Sequence, residues 1–249
     1  MRDTKLYLAQ TLYSIVFGVM KRSVILTKKL NRLFIVGHLL TGVYVYLLGW
    51  WALLLIPYAM FIFHAGHGAF AHRIFTHNAD KTFIELSKRG HLLGHILFNM
   101  CGWGSALVFG AIHVEHHKHS GTELDPHEPR FIGKWNMFLG KYCLSTNKKF
   151  FKARYKSPYA KWFHNNYFKV AWVTMPIAAP VFAFAFWVRY VLLVMVHPND
   201  DAPTAKDRWW LWPVLFGDET HELHHEKPTG VKHHNFDFIY LCVKLFKAV

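Results

Sequence analysis

Residues 33–71 read LFIVGHLLTGVYVYLLGWWALLLIPYAMFIFHAGHGAFA and contain no Asp, Glu, Lys or Arg. A single helical span of a bilayer needs about 20 apolar residues, so this stretch is long enough to cross a membrane twice. The predicted turn is Gly49-Trp50-Trp51, near its middle. The whole chain is 53% hydrophobic and 17% aromatic, which is more apolar than an ordinary soluble domain. The sequence therefore predicts a transmembrane hairpin over residues 33–71.

Two further apolar runs follow this hairpin. Gly90–Val114 carries no charged residue and is long enough to span, but it contains several histidines and Asn99. Such side chains are costly in lipid unless they face protein or metal, so we expect this run to be partly interfacial. Val170–Val196 is also apolar, although two prolines and Arg189 interrupt it.

A parity condition limits what the last run can do. If the histidine clusters on either side of it share a metal centre, the chain must cross the membrane an even number of times between them. Two full spans need roughly 40 residues, so residues 162–197 are predicted to form a second, short hairpin. The sequence thus predicts an all-α integral membrane protein with about four transmembrane helices in two hairpins and a cytosolic histidine-rich cap.

The chain carries a formal net charge of +14. Residues 1–32 are a basic segment in which Leu6–Met20 is expected to lie on the membrane surface as an amphipathic helix. No Lys or Arg follows this segment until Arg73, beyond the hairpin, so the positive-inside rule places the histidine side in the cytosol. A basic run at 148–161 suits an anionic membrane face or an acidic partner, and positive-inside topology alone also explains it. No nucleic-acid-binding module accompanies the charge, so no nucleic-acid partner is expected.

Three histidine clusters stand beside the apolar runs. Neutral imidazole is the commonest protein metal ligand. Eight histidines exceed the four ligands of a closed structural zinc site and the three of a catalytic one, so two metals sharing a site is the simpler count. The eight residues are His72, His77, His113, His116, His117, His221, His224 and His225.

The spacing within the clusters has geometric content. Positions i, i+3 and i+4 share one face of an α-helix, so all three imidazoles of the 113–117 cluster can converge, and the 221–225 cluster repeats that spacing. His72 and His77 are five residues apart and would sit about 140° apart on a regular helix. They need a helix end between them, or they serve different metals.

Residues 72–77, 113–127 and 217–228 read HRIFTH, HVEHHKHSGTELDPH and GDETHELHHEKP. This combination resembles the membrane fatty acid desaturases, in particular the acyl-CoA or acyl-lipid Δ9 type, over roughly residues 33 to 240. The resemblance implies a diiron centre that uses O2 as co-substrate and two electrons to remove two hydrogens from an acyl chain. It also implies that the box histidines hold the two irons and that no catalytic residue acts apart from them. A separate electron donor, of the ferredoxin or cytochrome b5 type, is expected.

The sequence departs from the family pattern around the third box. The family places a further histidine ligand before that box in an N-S-x-x-H stretch, and here His197 is the candidate, with Leu193 where the Asn is expected. Several acids also stand beside the clusters, where they either orient ligand imidazoles or are solvated surface groups. These candidates are Glu115, Asp125, Asp218 and Glu222.

The expected organisation is a single desaturase-like domain over residues 1–249, with boxes 1 and 2 in a cytosolic region at 72–161 and box 3 in a second one at 198–249. A hydrocarbon substrate needs an apolar tunnel, and the tryptophans are assigned either to that tunnel or to the membrane interface. Two alternatives remain open. One is a hydroxylase on the same diiron scaffold, and the other is a non-catalytic metal-binding membrane protein.

Overall fold

The computed structural model describes residues 20–126, 128–139, 146–197, 206–230 and 232–249. Within these ranges every regular element is helical and no strand occurs, which confirms the predicted all-α class. The predicted surface helix Leu6–Met20 lies outside the described residues except for its last position, and so do residues 198–205 of the C-terminal region.

The described chain contains twelve α-helices joined by shorter 3-10 and π-helical segments. In chain order they are α1 (Met20–Leu48), α2 (Leu55–Phe63), α3 (Thr82–Glu85), α4 (Lys88–Asn99), α5 (Ala106–His119), α6 (Pro129–Ile132), α7 (Lys134–Phe138), α8 (Lys148–Arg154), α9 (Pro158–Tyr190), α10 (Trp212–Leu215), α11 (His221–Glu226) and α12 (Phe238–Ala248).

Helices α1 and α2 form a hairpin. The 3-10 turn Gly49–Leu54 joins them, and Gly49 has a φ of +54°, a left-handed conformation that glycine adopts without steric cost. Tyr44 of α1 and Tyr58 of α2 donate hydrogen bonds of 2.6 and 2.8 Å to neighbouring carbonyls of α9. Because the two tyrosines stand at the same height on either side of the turn, the chain reverses direction there.

Helix α2 continues without a break into a π-helix, His64–Thr76, in which every residue is buried. The amide of His77 donates to the carbonyl of His72 at 3.2 Å, which is the i→i+5 bond of a π-turn. Residues five positions apart therefore lie above one another here. Single π-turns occur frequently at functional sites, and this segment together with its C-cap, His77, carries the first histidine box.

Two helical stretches are long and apolar enough to cross a membrane, Lys28–Thr76 and Pro158–Tyr190. In the most apolar window of the first, 0% of the residues are buried inside the chain, so those side chains are available to lipid. In the corresponding window of the second, 44% are buried. These helices support membrane association, whereas the predicted number of about four membrane helices stays a prediction.

The second, short hairpin expected at residues 162–197 stays a prediction, and α9 runs through most of this stretch without a loop. Helix α9 is nevertheless bent back. Two residues of α1 that are only five positions apart contact the two halves of α9. The Lys29 ammonium lies 5.3 Å from the Phe168 ring, and Phe34 packs against Phe182 at 6.2 Å. In a straight helix residues 168 and 182 would be about 21 Å apart.

Two prolines explain why α9 bends without ending. A proline inside a helix removes one amide donor and forces a kink. Because Pro180 has no amide hydrogen, the carbonyl of Pro176 loses its partner four residues on, and it accepts the Tyr44 hydroxyl instead. The Tyr44 hydroxyl thereby replaces the hydrogen bond that the Pro176 carbonyl loses.

The run Gly90–Val114 forms most of α4 and α5, with a turn at residues 100–105 between the two helices, so it is not one continuous span. Ser105 caps α5, since its hydroxyl accepts the amide of Val108 at 3.4 Å. On α4, His95 is buried against α9, where its ring stacks on Phe163 at 5.0 Å. Helix α5 carries the second histidine box away from this turn.

Candidate metal centre

Five histidines form the first of two groups. Their available ring nitrogens all lie within 4.8 Å of one another. The Nε2 atoms of His72 and His224 are 2.8 Å apart, and Nε2 of His117 lies 3.0 Å from those of His113 and His224. His77 completes the group. The three sequence clusters, which are up to 152 positions apart in the chain, therefore meet at one point.

Four histidines form the second group, with the same limit of 4.8 Å between their ligand atoms. Nε2 of His197 lies 3.1 Å from the Nε2 atoms of both His116 and His221. Nε2 of His225 lies 3.2 Å from that of His116. The structure thus places His197 among the box histidines, as expected of a ninth ligand.

Adjacent histidines of one box belong to different groups. His117 faces the first group and His116 the second, because neighbouring residues on a helix point about 100° apart. Box 3 divides in the same way. The three imidazoles of one box, which helical spacing would allow to converge, do not share one group, while the i, i+4 pairs stay together as His113 with His117 and His221 with His225.

The first box brings both of its histidines to the same group. On a regular α-helix His72 and His77 would diverge, but they stand on the π-helical register, where i and i+5 coincide. Their ring centroids are 5.2 Å apart. The assumption of a regular helix was the error, and neither a helix end between them nor separate metals is required.

Burial keeps these imidazoles neutral. Desolvation, with a further contribution from neighbouring histidines, lowers the pKa of His117 to about 4 and that of His225 to about 2. The pKa values of His77, His113 and His224 lie well below 6.5 for the same reasons. Neutral rings offer lone pairs, and nitrogen atoms that face one another at such short range suit a cation between them.

Hydrogen bonds behind the rings set their orientation. Nδ1 of His116 donates to Asp125 Oδ1 at 2.8 Å, and Nδ1 of His197 donates to the Leu192 carbonyl at 2.7 Å. With the proton held on Nδ1, each Nε2 is free to bind a metal. Asp218 Oδ1 lies 3.4 Å from Nδ1 of His72. Two of the four predicted orienting acids, Asp125 and Asp218, therefore stand behind ligand candidates.

The other two predicted acids are directed elsewhere. Glu115 accepts a 2.9 Å hydrogen bond from Asn147 and lies 3.4 Å from His119, which belongs to neither group. Glu222 is exposed, and its backbone amide donates to Asp207. These two carboxylates are placed as surface or packing groups rather than behind the histidines.

Sequence reasoning missed a buried ion pair beside the centre. Arg73, within the first box, pairs with Asp237 at 2.7 Å, and both side chains are fully buried. The sequence does indicate such a pair, since an arginine within a buried apolar helix requires an acidic partner. The partner lies far along the chain, and no local spacing identifies it.

Comparison with known proteins agrees with this chemistry. The chain is 24% identical over 240 residues to Acyl-CoA desaturase 1 of Saccharomyces cerevisiae. The match covers 82% of this chain and 46% of that protein, so the chain spans about half the length of its relative. No family model matches the chain. The structure and the similarity together describe an all-helical, membrane-associated protein that is distantly related to an acyl-CoA desaturase and whose histidines could hold metal.

Proposed function

We propose that this protein is a membrane-bound diiron fatty acid desaturase, which inserts a double bond into the chain of an acyl-CoA or acyl-lipid using O2 and two electrons. The grouping of nine histidines into a set of five and a set of four carries the proposal. The distant similarity to a yeast acyl-CoA desaturase gives the reaction class.

The residues fit two iron ions. His72, His77, His113, His117 and His224 would hold one, and His116, His197, His221 and His225 the other. Within the described chain, Nε2 of His77 is buried without a hydrogen-bond partner, as expected of a nitrogen reserved for a metal. When bound, two irons supply the activation of O2 that hydrogen abstraction from an unactivated methylene requires.

Apolar rings beside the first group suit a hydrocarbon substrate. Phe109 stacks on His113 at 5.4 Å, and His67 lies 5.1 Å from Phe109 and 4.5 Å from Trp103. A saturated chain offers no polar group to hold, so such a wall would position it by shape while excluding water from the reacting carbon. We assign Trp103 and Phe109 to this wall.

The proposed function also implies a membrane topology and an electron donor. Residues 1–249 form one desaturase-like domain that crosses the membrane several times and keeps its boxes on the cytosolic side. Electrons come from a separate ferredoxin-like or cytochrome b5-like donor. Exposed lysines on α8 and at the start of α9 would attract such an acidic protein, because complementary charge steers encounter. These lysines are Lys148, Lys149, Lys152, Lys156 and Lys161.

Mass spectrometry of total fatty acids from cells that express the protein tests this function. Products lighter than their parents by two hydrogens are expected, and they should disappear with His116→Ala or His224→Ala. His119→Ala is the matched control, since His119 lies on the same helix as His116 but outside both groups. Products heavier by one oxygen would identify a hydroxylase instead, and an unchanged lipid profile would contradict catalysis.

A further inference from the structure

Aromatic side chains are exposed together near the third box. Trp209 is 82% exposed, Trp210 50% and Phe236 77%. The indole Nε1 of Trp212 donates to the Phe236 carbonyl at 3.0 Å, which fastens the two segments that carry these rings. An exposed apolar patch of this kind marks an interaction surface. We call Trp209, Trp210, Trp212 and Phe236 the aromatic patch.

The aromatic patch is continuous with the apolar face of the first hairpin. Trp212 packs against Phe216 at 5.3 Å, Phe216 against Phe238 at 5.5 Å, and Phe238 against Phe61 at 6.1 Å. Phe61 lies within the candidate span Lys28–Thr76 and is itself 45% exposed. Lipid that surrounds Phe61 would therefore also contact the aromatic patch.

The patch also lies at the depth of a membrane interface. Phe34 and Phe63 contact Phe182 and Phe184, so these positions of α1 and α2 are at similar height. Phe34 is less than two turns from Lys29, whose charge belongs among the headgroups. Phe61, to which the patch is linked through Phe238 and Phe216, is therefore a few residues below the headgroup level. Tryptophan is enriched at this depth because its ring is apolar and its N–H is polar.

Helix α12 beside the patch has the amphipathic pattern of an interfacial helix. Ile239, Val243 and Phe246 are buried against the protein, while Leu241 and Leu245 are exposed on the outer face. Exposed lysines alternate with these leucines. Long lysine side chains can reach headgroups while the neighbouring leucines enter the acyl region.

We propose that the aromatic patch and the outer face of α12 insert into the bilayer interface, so that the third histidine box rests directly on the membrane. The partner of this surface is lipid. The proposal goes beyond the reaction, because it concerns a second membrane contact outside the two candidate spans. It also assigns Trp209, Trp210 and Trp212 to the interface rather than to a substrate tunnel.

Site-directed fluorescence quenching in lipid nanodiscs tests this contact. Single cysteines carrying a fluorophore are introduced as Trp209→Cys, Phe236→Cys and Leu245→Cys. Leu39→Cys on the exposed face of α1 is the lipid reference, and Glu123→Cys in the loop after α5 is the aqueous reference. Cys101 and Cys242 are buried, and Cys143 is replaced by serine. Nitroxide on lipid acyl chains and iodide in the buffer serve as the two quenchers.

Labels on the patch and on α12 should lose fluorescence to the nitroxide as strongly as the label at Leu39, and should be shielded from iodide. The label at Glu123 should show the reverse. Patch labels that respond to iodide as Glu123 does, while Leu39 stays in lipid, would overturn the membrane contact alone and leave the surface to a protein partner. A label at Leu39 that also responds as an aqueous site would overturn both this contact and the membrane placement in the proposed function.

Discussion

Arg73 Nη1 donates a 2.7 Å hydrogen bond to Asp237 Oδ2, and both side chains are 0% exposed. The same guanidinium donates to the carbonyl of Gly217 at 3.2 Å. Asp237 in turn accepts the amides of His233 and Tyr240, each at 2.9 Å. One buried pair therefore joins the first box, the residue that begins the third box stretch, and the N-terminus of α12.

Breaking this pair should strongly destabilise the protein. Removing one partner of a buried ion pair leaves an uncompensated charge and costs about 3–5 kcal/mol. Asp237→Asn and Arg73→Met should each lower the free energy of unfolding by about that amount, measured by denaturation with a titrated denaturing detergent. Glu85→Gln is the control, because Glu85 pairs with Lys247 at 3.9 Å on the surface, where the loss is about 0–1 kcal/mol. Equal effects at the two sites would contradict the role of the buried pair.

Asp125 should tune metal affinity through His116. Asp125→Asn removes the charge behind the His116 ring, and losses of an outer partner typically cost about 10- to 100-fold in metal affinity. Chelator competition against the purified protein measures this change. Glu222→Gln, in the third box but exposed, should leave the affinity unchanged. A loss with Glu222→Gln as large as that with Asp125→Asn would reject the assignment.

The two histidine groups should lose metal separately. His77→Ala removes a ligand from the group of five, and His197→Ala removes one from the group of four. Each variant should retain the metal of the other group, because the two groups share no histidine. Metal analysis of the purified variants gives the ratio of metal to chain. Complete loss of metal in both variants would indicate a single, interdependent site.

His95 should make the protein sensitive to acid. Burial, followed by the charge of His91, lowers its pKa to about 3 from the usual 6.5, so the unfolded chain binds a proton that the folded chain refuses. This contribution is absent above pH 6.5 and destabilises the fold progressively as the pH falls below it, by about 1.4 kcal/mol per pH unit.

His95→Phe should therefore reduce the loss of unfolding free energy between neutral pH and pH 5. The substitution is expected to pack well, because the ring already stacks on Phe163 and, within the described chain, neither of its nitrogens has a hydrogen-bond partner. Thermal unfolding at several pH values measures the slope. An identical slope in the variant would show that other groups govern the acid response.

The sequence predicts the periodic features of this fold well. Charge-free length identifies the apolar stretch that forms α1 and α2, and a glycine begins the 3-10 turn between them. Helical periodicity accounts for His113 lying with His117 and His221 with His225, because residues four apart share a face, but it does not separate the third histidine of each box. The resemblance makes His197 a candidate ligand, and the structure places its Nε2 3.1 Å from that of His116.

The remaining features depend on backbone registers and distant contacts that local patterns do not contain. A π-helix brings His72 and His77 together, and nothing in the spacing of HRIFTH reveals an i→i+5 register. In α9, a tyrosine on another helix donates to a carbonyl that Pro180 leaves without its helical partner, a contact that local spacing does not predict. The partner of Arg73 lies 164 positions away, so only the folded chain identifies Asp237.

Iron stoichiometry with Mössbauer spectroscopy tests whether the two histidine groups hold two iron ions. Protein purified from iron-supplemented cells should contain two irons per chain. These should give two distinct signals, because one group offers five histidines and the other four. A single iron per chain, or zinc in place of iron in active protein, would contradict a diiron centre built from these nine residues.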